Sequence, residues 1–308
     1  MVRIIGFLVG LAFAGVLLIS FGVNLVGTLR EPAEATAEED FHRHPKALNL
    51  ASDGPLGKFD RQQVQRGFQV YKEVCAACHS LHLVAFRDLH ALGYSEAEVK
   101  AIASQWATET PSVNPETGEP ATRKAIPSDY IPLPYPNETA ARAANNNALP
   151  PDLSLMAKAR HGGPAYIYSL LTGYQNQPAD LVKKFPSAKT PAGLHYNPYF
   201  ANLNIAMPPP LTSEGQVTYA EGNPKPTVNQ MAKDVAAFLV WTAEPKLENR
   251  HRFGIATLLF LLVATVLGYF SYQNIWAEAK RKVAPVGPLD PVNKAKRARA
   301  TKKAGVTK

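Results

Sequence analysis

Val74-Cys75-Ala76-Ala77-Cys78-His79 is the stretch of this 308-residue chain whose residue types and spacing most directly imply chemistry. Two cysteines three positions apart, with a histidine directly after the second, form the Cys-x-x-Cys-His pattern of c-type haem attachment. Thiols about one helical turn apart reach the two vinyl groups on adjacent edges of one porphyrin. The next residue then turns its imidazole to the iron. A thioredoxin-like redox pair would come with a βαβ pattern, which the sequence lacks. A zinc half-site would need a second ligand pair, and there is no other cysteine. With Cys75 and Cys78 both alkylated by one covalent haem c, no thiol is left over, which suits an oxidising compartment. A disulfide framework is excluded.

A second axial ligand must come from elsewhere. The chain has four methionines. Met1 is the initiator. Met156 and Met231 lie in helical patterns with apolar neighbours and read as core. Met207 lies in Asn204-Ile205-Ala206-Met207-Pro208-Pro209-Pro210, which cannot be helical. Its prolines lower the entropy cost of presenting a sulfur to iron. A thioether ligand stabilises ferrous iron and raises the potential. A bis-histidine site using His161 or His195 is the alternative. His42, His44, His82, His90 and His251 are most simply solvent-facing.

These groups need elements to hold them. Asp60 is placed to cap a helix in which Val64, Gly67, Phe68, Tyr71 and Val74 recur at three- and four-residue steps, ending at the cysteines. A second helix is expected from about Ala97 to Thr108. Asn114 to Pro136 reads as loop. Asp152 is expected to cap a helix through Arg160, closed by Gly162-Gly163, with a short helix near Tyr166 to Leu171. Thr190 to Pro210 is expected to be an ordered proline-rich loop. Val228 to Ala243 is amphipathic, with Met231, Val235, Phe238, Leu239 and Thr242 on one face, and Pro245 stops it. With 26 prolines and 20 glycines mostly outside the apolar runs, a mostly α domain with long ordered loops is implied rather than a sheet protein.

Two apolar runs flank that domain. Ile4 to Leu29 carries no charge and is long enough to span a bilayer. A signal core is usually about 7–15 residues. A small-x-small site, Ala35-Thr36-Ala37, follows, so residues 1–37 read as a cleaved signal or a retained anchor, with cleavage slightly favoured. Either way the domain at 38–252 is exported. Phe253 to Trp276 is the second run, with Tyr269, Tyr272 and Trp276 where an aromatic belt is expected. A buried core helix is its alternative reading. Residues 277–308 hold 10 Lys/Arg against 2 Asp/Glu, so the formal +8 of the whole chain is carried by this tail. A basic tail directly after a hydrophobic span is explained by membrane topology, tail inside and domain outside, and not by nucleic-acid binding. Residues 31–249 hold 19 basic and 23 acidic residues, a mildly acidic −4.

From Phe59 to Trp276 the chain resembles cytochrome c1, the haem subunit of the cytochrome bc1 complex. The resemblance rests on the haem motif and on Ala143-Ala144-Asn145-Asn146-Asn147-Ala148-Leu149-Pro150-Pro151-Asp152-Leu153-Ser154. It rests also on Ala159-Arg160-His161-Gly162-Gly163, Ser169-Leu170-Leu171-Thr172-Gly173-Tyr174, Tyr196-Asn197-Pro198-Tyr199-Phe200, the methionine loop and Ala232-Lys233-Asp234-Val235-Ala236-Ala237-Phe238-Leu239.

The resemblance implies a cytochrome-c-like domain with inserted loops, whose first and last helices cross beside the haem, and a C-terminal transmembrane helix. It implies Met207 as sixth ligand and Arg160 near the haem propionates. Pro150, Pro151, Tyr166 and Phe200 would wall the haem, against ordinary packing as the plainer reading. Some bacterial members carry a second cysteine pair, and this chain does not. One electron would arrive from a Rieske iron–sulfur protein and leave to a c-type cytochrome, beside cytochrome b, with no bond chemistry of the chain's own. The location implied is the cell inner membrane with the haem domain on the periplasmic side. The acidic domain suggests a basic acceptor, with Glu96, Glu98, Glu109 and Glu116 as candidate contacts. The alternatives are a membrane cytochrome serving another dehydrogenase or a terminal oxidase, and a haem peroxidase.

Overall fold

A computed structural model of the chain describes residues 2–30, 35–282 and 291–303, which fall into two compact units dividing after Pro245. The first unit opens with α1 (Val2–Arg30), α2 (Ala37–Phe41) and α3 (Arg61–Val70), the last running into a wider π turn (Tyr71–Cys75). A 3-10 segment (Phe86–Leu92), α4 (Glu96–Ser104), the strands β1 (Thr110–Val113) and β2 (Pro120–Arg123), and α5 (Glu138–Ala144) follow. Next come α6 (Met156–Ala159), α7 (Gly163–Leu171), α8 (Ala179–Lys184), a 3-10 turn (Pro186–Ala188), β3 (His195–Tyr196), β4 (Asn204–Ile205) and α9 (Val228–Ala243). The second unit holds α10 (Leu247–Lys282) and α11 (Pro291–Lys303). The architecture is mostly α, as expected.

The crossing of α3 and α9 is the centre of the main core. Asp60 caps α3 by accepting from the Gln63 N–H at 3.1 Å, and Thr227 caps α9 by accepting from the Gln230 N–H at 3.1 Å. Val64 and Phe68 on one helix meet Val235, Phe238 and Leu239 on the other, all buried. Phe68 and Tyr71 lie 5.6 and 5.7 Å from the Phe238 ring. Burying each such ring contributes roughly 2–3 kcal/mol. Close approach requires Gly67, because a Cβ there would sit 2.0 Å from the Asp234 carbonyl oxygen. The same crossing buries a charge: the Asp234 carboxylate accepts from Gln63 at 3.0 Å, Arg66 at 2.9 Å and Gln230 at 2.8 Å. Met231 is fully buried and Met156 packs against the same core, as read from their patterns.

Five local expectations need correction. The second helix spans Glu96–Ser104, set by a Ser95–Glu98 capping box, and stops short of Thr108. The chain leaves it early so that Trp106 can stack on Phe68, with ring centroids 6.4 Å apart. Part of the expected loop 114–136 is strand: β1 and β2 pair antiparallel, and Arg123 then binds Asp129 at 2.6 and 2.8 Å. Likewise β3 and β4 pair within the expected loop 190–210. Asp152 does not cap a helix. Its carboxylate is taken by Ser80, His82 and Ser154, and α6 is a single turn beginning at Met156. The following helix begins at Gly163, ahead of the expected Tyr166, because Pro164 fits its first turn, where no intrahelical donor is needed.

A satellite core lies apart from the main one. Ala37, Leu181, Tyr196 and Leu203 are buried together, with Phe41, Phe185 and Ala188 against them. The small-x-small site is thereby folded: Thr36 forms a capping box with Glu39, and Ala37 is buried.

α1 and α10 are both long and apolar enough to cross a membrane, with mean hydropathies of 2.6 and 2.2 in their apolar windows. Side chains from Phe253 to Trp276 are exposed throughout, which removes the buried-core-helix alternative. Residues 31–34 of the linker and 283–290 and 304–308 of the basic tail lie outside the described residues.

Candidate functional site

The haem motif follows α3 without a break. The π turn is closed by the Ala76 N–H donating to the Tyr71 carbonyl at 2.8 Å, a widening common at functional sites. The Cys78 and His79 N–H groups then both donate to the Cys75 carbonyl, at 3.1 and 2.9 Å. Cys75 and Cys78 are thus held one turn apart. The buried Tyr71 hydroxyl donates to the His79 carbonyl at 2.9 Å and pins the motif's end to the core.

His79 Nδ1 lies 2.8 Å from the Pro151 carbonyl. A carbonyl can only accept, so Nδ1 carries the proton and Nε2 keeps its lone pair for a metal. Burial holds the imidazolium below its usual range, opposed by the Pro151 bond and the charge of Asp152. A neutral ring with a fixed tautomer is what iron ligation requires. A free Cys75 thiol is pushed up to about 12 by burial and then by Cys78, the opposite of the depressed values of redox cysteine pairs. These donors fit covalent haem with a histidine ligand. Bound haem supplies a one-electron couple at its iron, and the chain supplies attachment, ligation and burial.

Met207, Tyr166 and Arg160 are linked through Tyr174. Met207 is half-buried, and its carbonyl accepts from the Tyr174 hydroxyl at 3.1 Å. Burial raises the Tyr174 phenol well above its ordinary value, helped by neighbouring Tyr166. Tyr166 in turn interacts with Arg160, whose charge partly offsets the rise that burial causes in Tyr166. The structure therefore brings Arg160, Tyr166, Tyr174 and Met207 into one chain of neighbours. Arg160 is exposed, because α6 ends there and Gly162-Gly163 turns the chain. Phe200 is half-buried in the β3–β4 loop, and its carbonyl accepts from the Leu203 N–H at 2.9 Å. Pro150 is half-buried and Pro151 exposed. Of the alternative ligands, His161 is exposed and His195 lies in β3 opposite Ile205.

Several supporting residues carried no assigned role in the sequence. Tyr174 is one of them, holding the Met207 carbonyl. Its position directly after Gly173 is the signal, since a Cβ at Gly173 would meet Tyr199 at 2.4 Å and force the two aromatic loops apart. Lys46 straps α7 to the β3–β4 loop. Its Nζ donates to the Thr172 hydroxyl at 2.7 Å and carbonyl at 3.1 Å, and lies 5.4 Å from the Tyr199 ring centre. Burial lowers its pKa, with Arg43 adding to the effect. Tyr135 donates to Cys78 Sγ at 3.7 Å and accepts from Asn145 at 3.0 Å.

The Cytochrome C1 family model matches residues 50–279, three-quarters of the chain, including the haem motif and the Met207 loop. The chain belongs to the cytochrome c1 family. It is similar to the mitochondrial cytochrome c1 haem protein of Saccharomyces cerevisiae, 44% identical over 84% of this chain and 81% of that one. Cytochrome c1 of Rhodospirillum rubrum is 44% identical over 74% of this chain and 85% of its own. A Bradyrhizobium diazoefficiens protein named cytochrome b/c1 is 43% identical over 87% of this chain, which spans 40% of that longer protein. As a cytochrome c1, the chain is a membrane protein with covalently bound haem c and serves as the electron-transfer subunit of the bc1 complex.

Proposed function

We propose that the cytochrome c1 domain carries a single haem c, joined to Cys75 and Cys78 and ligated by His79 and Met207. It takes one electron at a time from the Rieske protein and hands it to a c-type cytochrome. The observation that carries this reading is the 2.8 Å bond from His79 Nδ1 to Pro151, which leaves one ring nitrogen as a fixed donor beside two thiols. Met207 complements it as a soft ligand in a loop stiffened by prolines. Arg160 holds the propionates, a charge-assisted role for an exposed arginine. Pro150, Pro151, Tyr166 and Phe200 wall the haem. The haem domain, residues 38–252, faces the periplasm at the cell inner membrane, and residues 253–276 cross it with the basic tail inside.

The acceptor is a basic c-type cytochrome attracted by the acidic domain, so transfer to it slows as salt rises. Glu98 belongs to the α4 cap and Glu109 binds Thr122, which leaves Glu96 and Glu116 as the freer surface charges.

The test is purification of the complex from membranes with its subunit composition, haem content and spectrum. A cytochrome b and a Rieske protein should co-purify, with one haem c for each copy of this chain. The reduced haem c should ignore carbon monoxide. Two haems on this chain, or a carbon monoxide complex in the native protein, would refute the ligation.

A further inference from the structure

Asp152 stands at a point where two segments are tied. Its carboxylate accepts from the Ser80 hydroxyl at 2.7 Å, the His82 N–H at 3.0 Å, the His82 ring at 2.7 Å and the Ser154 N–H at 2.8 Å. The backbone adds a crosslink, the Leu153 N–H donating to the Ser80 carbonyl at 2.9 Å. The segment just after the haem motif is thereby fastened to the segment just after Pro151. The Pro151 carbonyl, acceptor for His79 Nδ1, belongs to the peptide that leads into Asp152. Leu153 and Ser154 are buried, but Pro151 itself is exposed, so its own ring does little to fix the carbonyl's direction. Hydrogen bonds to one carboxylate, together with the Leu153 crosslink, fix it.

Resting on the assignment of His79 as an iron ligand, we propose that Asp152 is a positioning residue for the histidine side of the haem. It fixes the Pro151 carbonyl, hence the orientation and basicity of the His79 ring, and so helps set the potential of the iron. Two effects act in the same direction. A firm Nδ1–H···O=C bond makes the ring a stronger donor, which favours ferric iron. The carboxylate's own negative charge near the ligand also favours the ferric state. The charge persists throughout the neutral range. Burial alone would raise the carboxyl, but the donors from His82, Ser154 and Ser80 outweigh it and hold the group at about 2.

Asp152→Asn keeps the shape and removes the charge. Its amide also points donors at groups that are themselves donors, so the loop must shift. In the assembled complex the variant should keep its covalent haem. Its midpoint potential should rise, and the ferric low-spin resonance spectrum, which reads the histidine field, should change. Ser80→Ala removes one donor and leaves the charge, and should give a smaller rise. An Asp152→Asn complex that melts earlier but has the wild-type potential and resonance spectrum would overturn the proposal. If Asp152→Asn does not assemble, Ser80→Ala decides alone, and an unmoved potential sinks it. A wild-type spectrum without a histidine-ligated low-spin haem would instead refute the ligation itself, before any variant is made.

Discussion

The Cys75–His79 segment and the Met207 loop rest on different foundations. The first is continuous with α3, and Tyr71, Val74, Cys75 and Ala76 all pack into the main core that the α3–α9 crossing organises. The second ends a two-residue hairpin supported by the satellite core of Ala37, Leu181, Tyr196 and Leu203. Leu203, at the entrance to that loop, has a φ of 64°, a left-handed conformation costing a β-carbon residue roughly 1–2 kcal/mol. Burial of its side chain holds it there. One side is therefore stiff because its ligands are neighbours in sequence on a core helix. The other is stiff through its own prolines and through long-range contacts, the Tyr174 hydroxyl and the Lys46 strap. Perturbing the main core should abolish both sides, while perturbing the satellite contacts should loosen the methionine and leave attachment intact.

The largest effect is expected from Gly67→Ala. The added Cβ, 2.0 Å from the Asp234 carbonyl and 2.7 Å from Phe238 Cβ, must push α3 and α9 apart. Overpacking against backbone at a helix crossing costs on the order of 3 kcal/mol or more. Haem-stained protein should fall sharply in membranes, and what remains should melt well below wild type. Normal accumulation and melting would show that the crossing does not carry the histidine side.

Acid should act next, and on the histidine side. Asp152 titrates at about 2 in the folded chain against an ordinary 3.8. A depressed carboxyl contributes its stability above the unfolded value and loses it as pH falls from 3.8 towards 2. The contribution is ~2 kcal/mol at neutral pH. The stability gap between wild type and Asp152→Asn, measured by denaturant titration, should shrink as pH falls through that window. A gap of constant size would place the effect elsewhere.

Tyr174→Phe should be milder and confined to the methionine side. It removes one hydrogen bond, worth about 1 kcal/mol, from the Met207 carbonyl. The domain should melt almost as before, yet the reduced haem should admit carbon monoxide more readily. Wild-type resistance to carbon monoxide would show that the hydroxyl does not hold the ligand loop.

What could be read in advance follows the same division. Cys75, Cys78 and His79 are legible because one helical turn encodes their chemistry. The helices α3 and α9 are legible because cap, periodicity and the stop at Pro245 are local signals. The buried Asp234 network is not, since a charged residue in an amphipathic pattern reads as surface until its partners from another helix are known. Asp152 reads as a cap in the sequence for a related reason. Its nearest donors include Ser80 and His82, some seventy positions away. The β1–β2 hairpin was hidden because its strands contain Pro111 and Pro120 beside polar residues, the composition of a loop. Met207 could be singled out by its prolines, but what holds it could not, because Tyr174, Lys46 and Leu203 act only once the fold has formed.

The paired ligation of the iron by His79 and Met207 is tested most directly by redox titration of Met207→Leu in the purified complex, with carbon monoxide added to the reduced form. Leucine keeps the bulk and removes the sulfur. Haem should stay attached through Cys75 and Cys78, the midpoint potential should fall, and the reduced iron should bind carbon monoxide. A potential equal to wild type, with the iron still closed to carbon monoxide, would contradict the account and return the sixth position to His161 or His195.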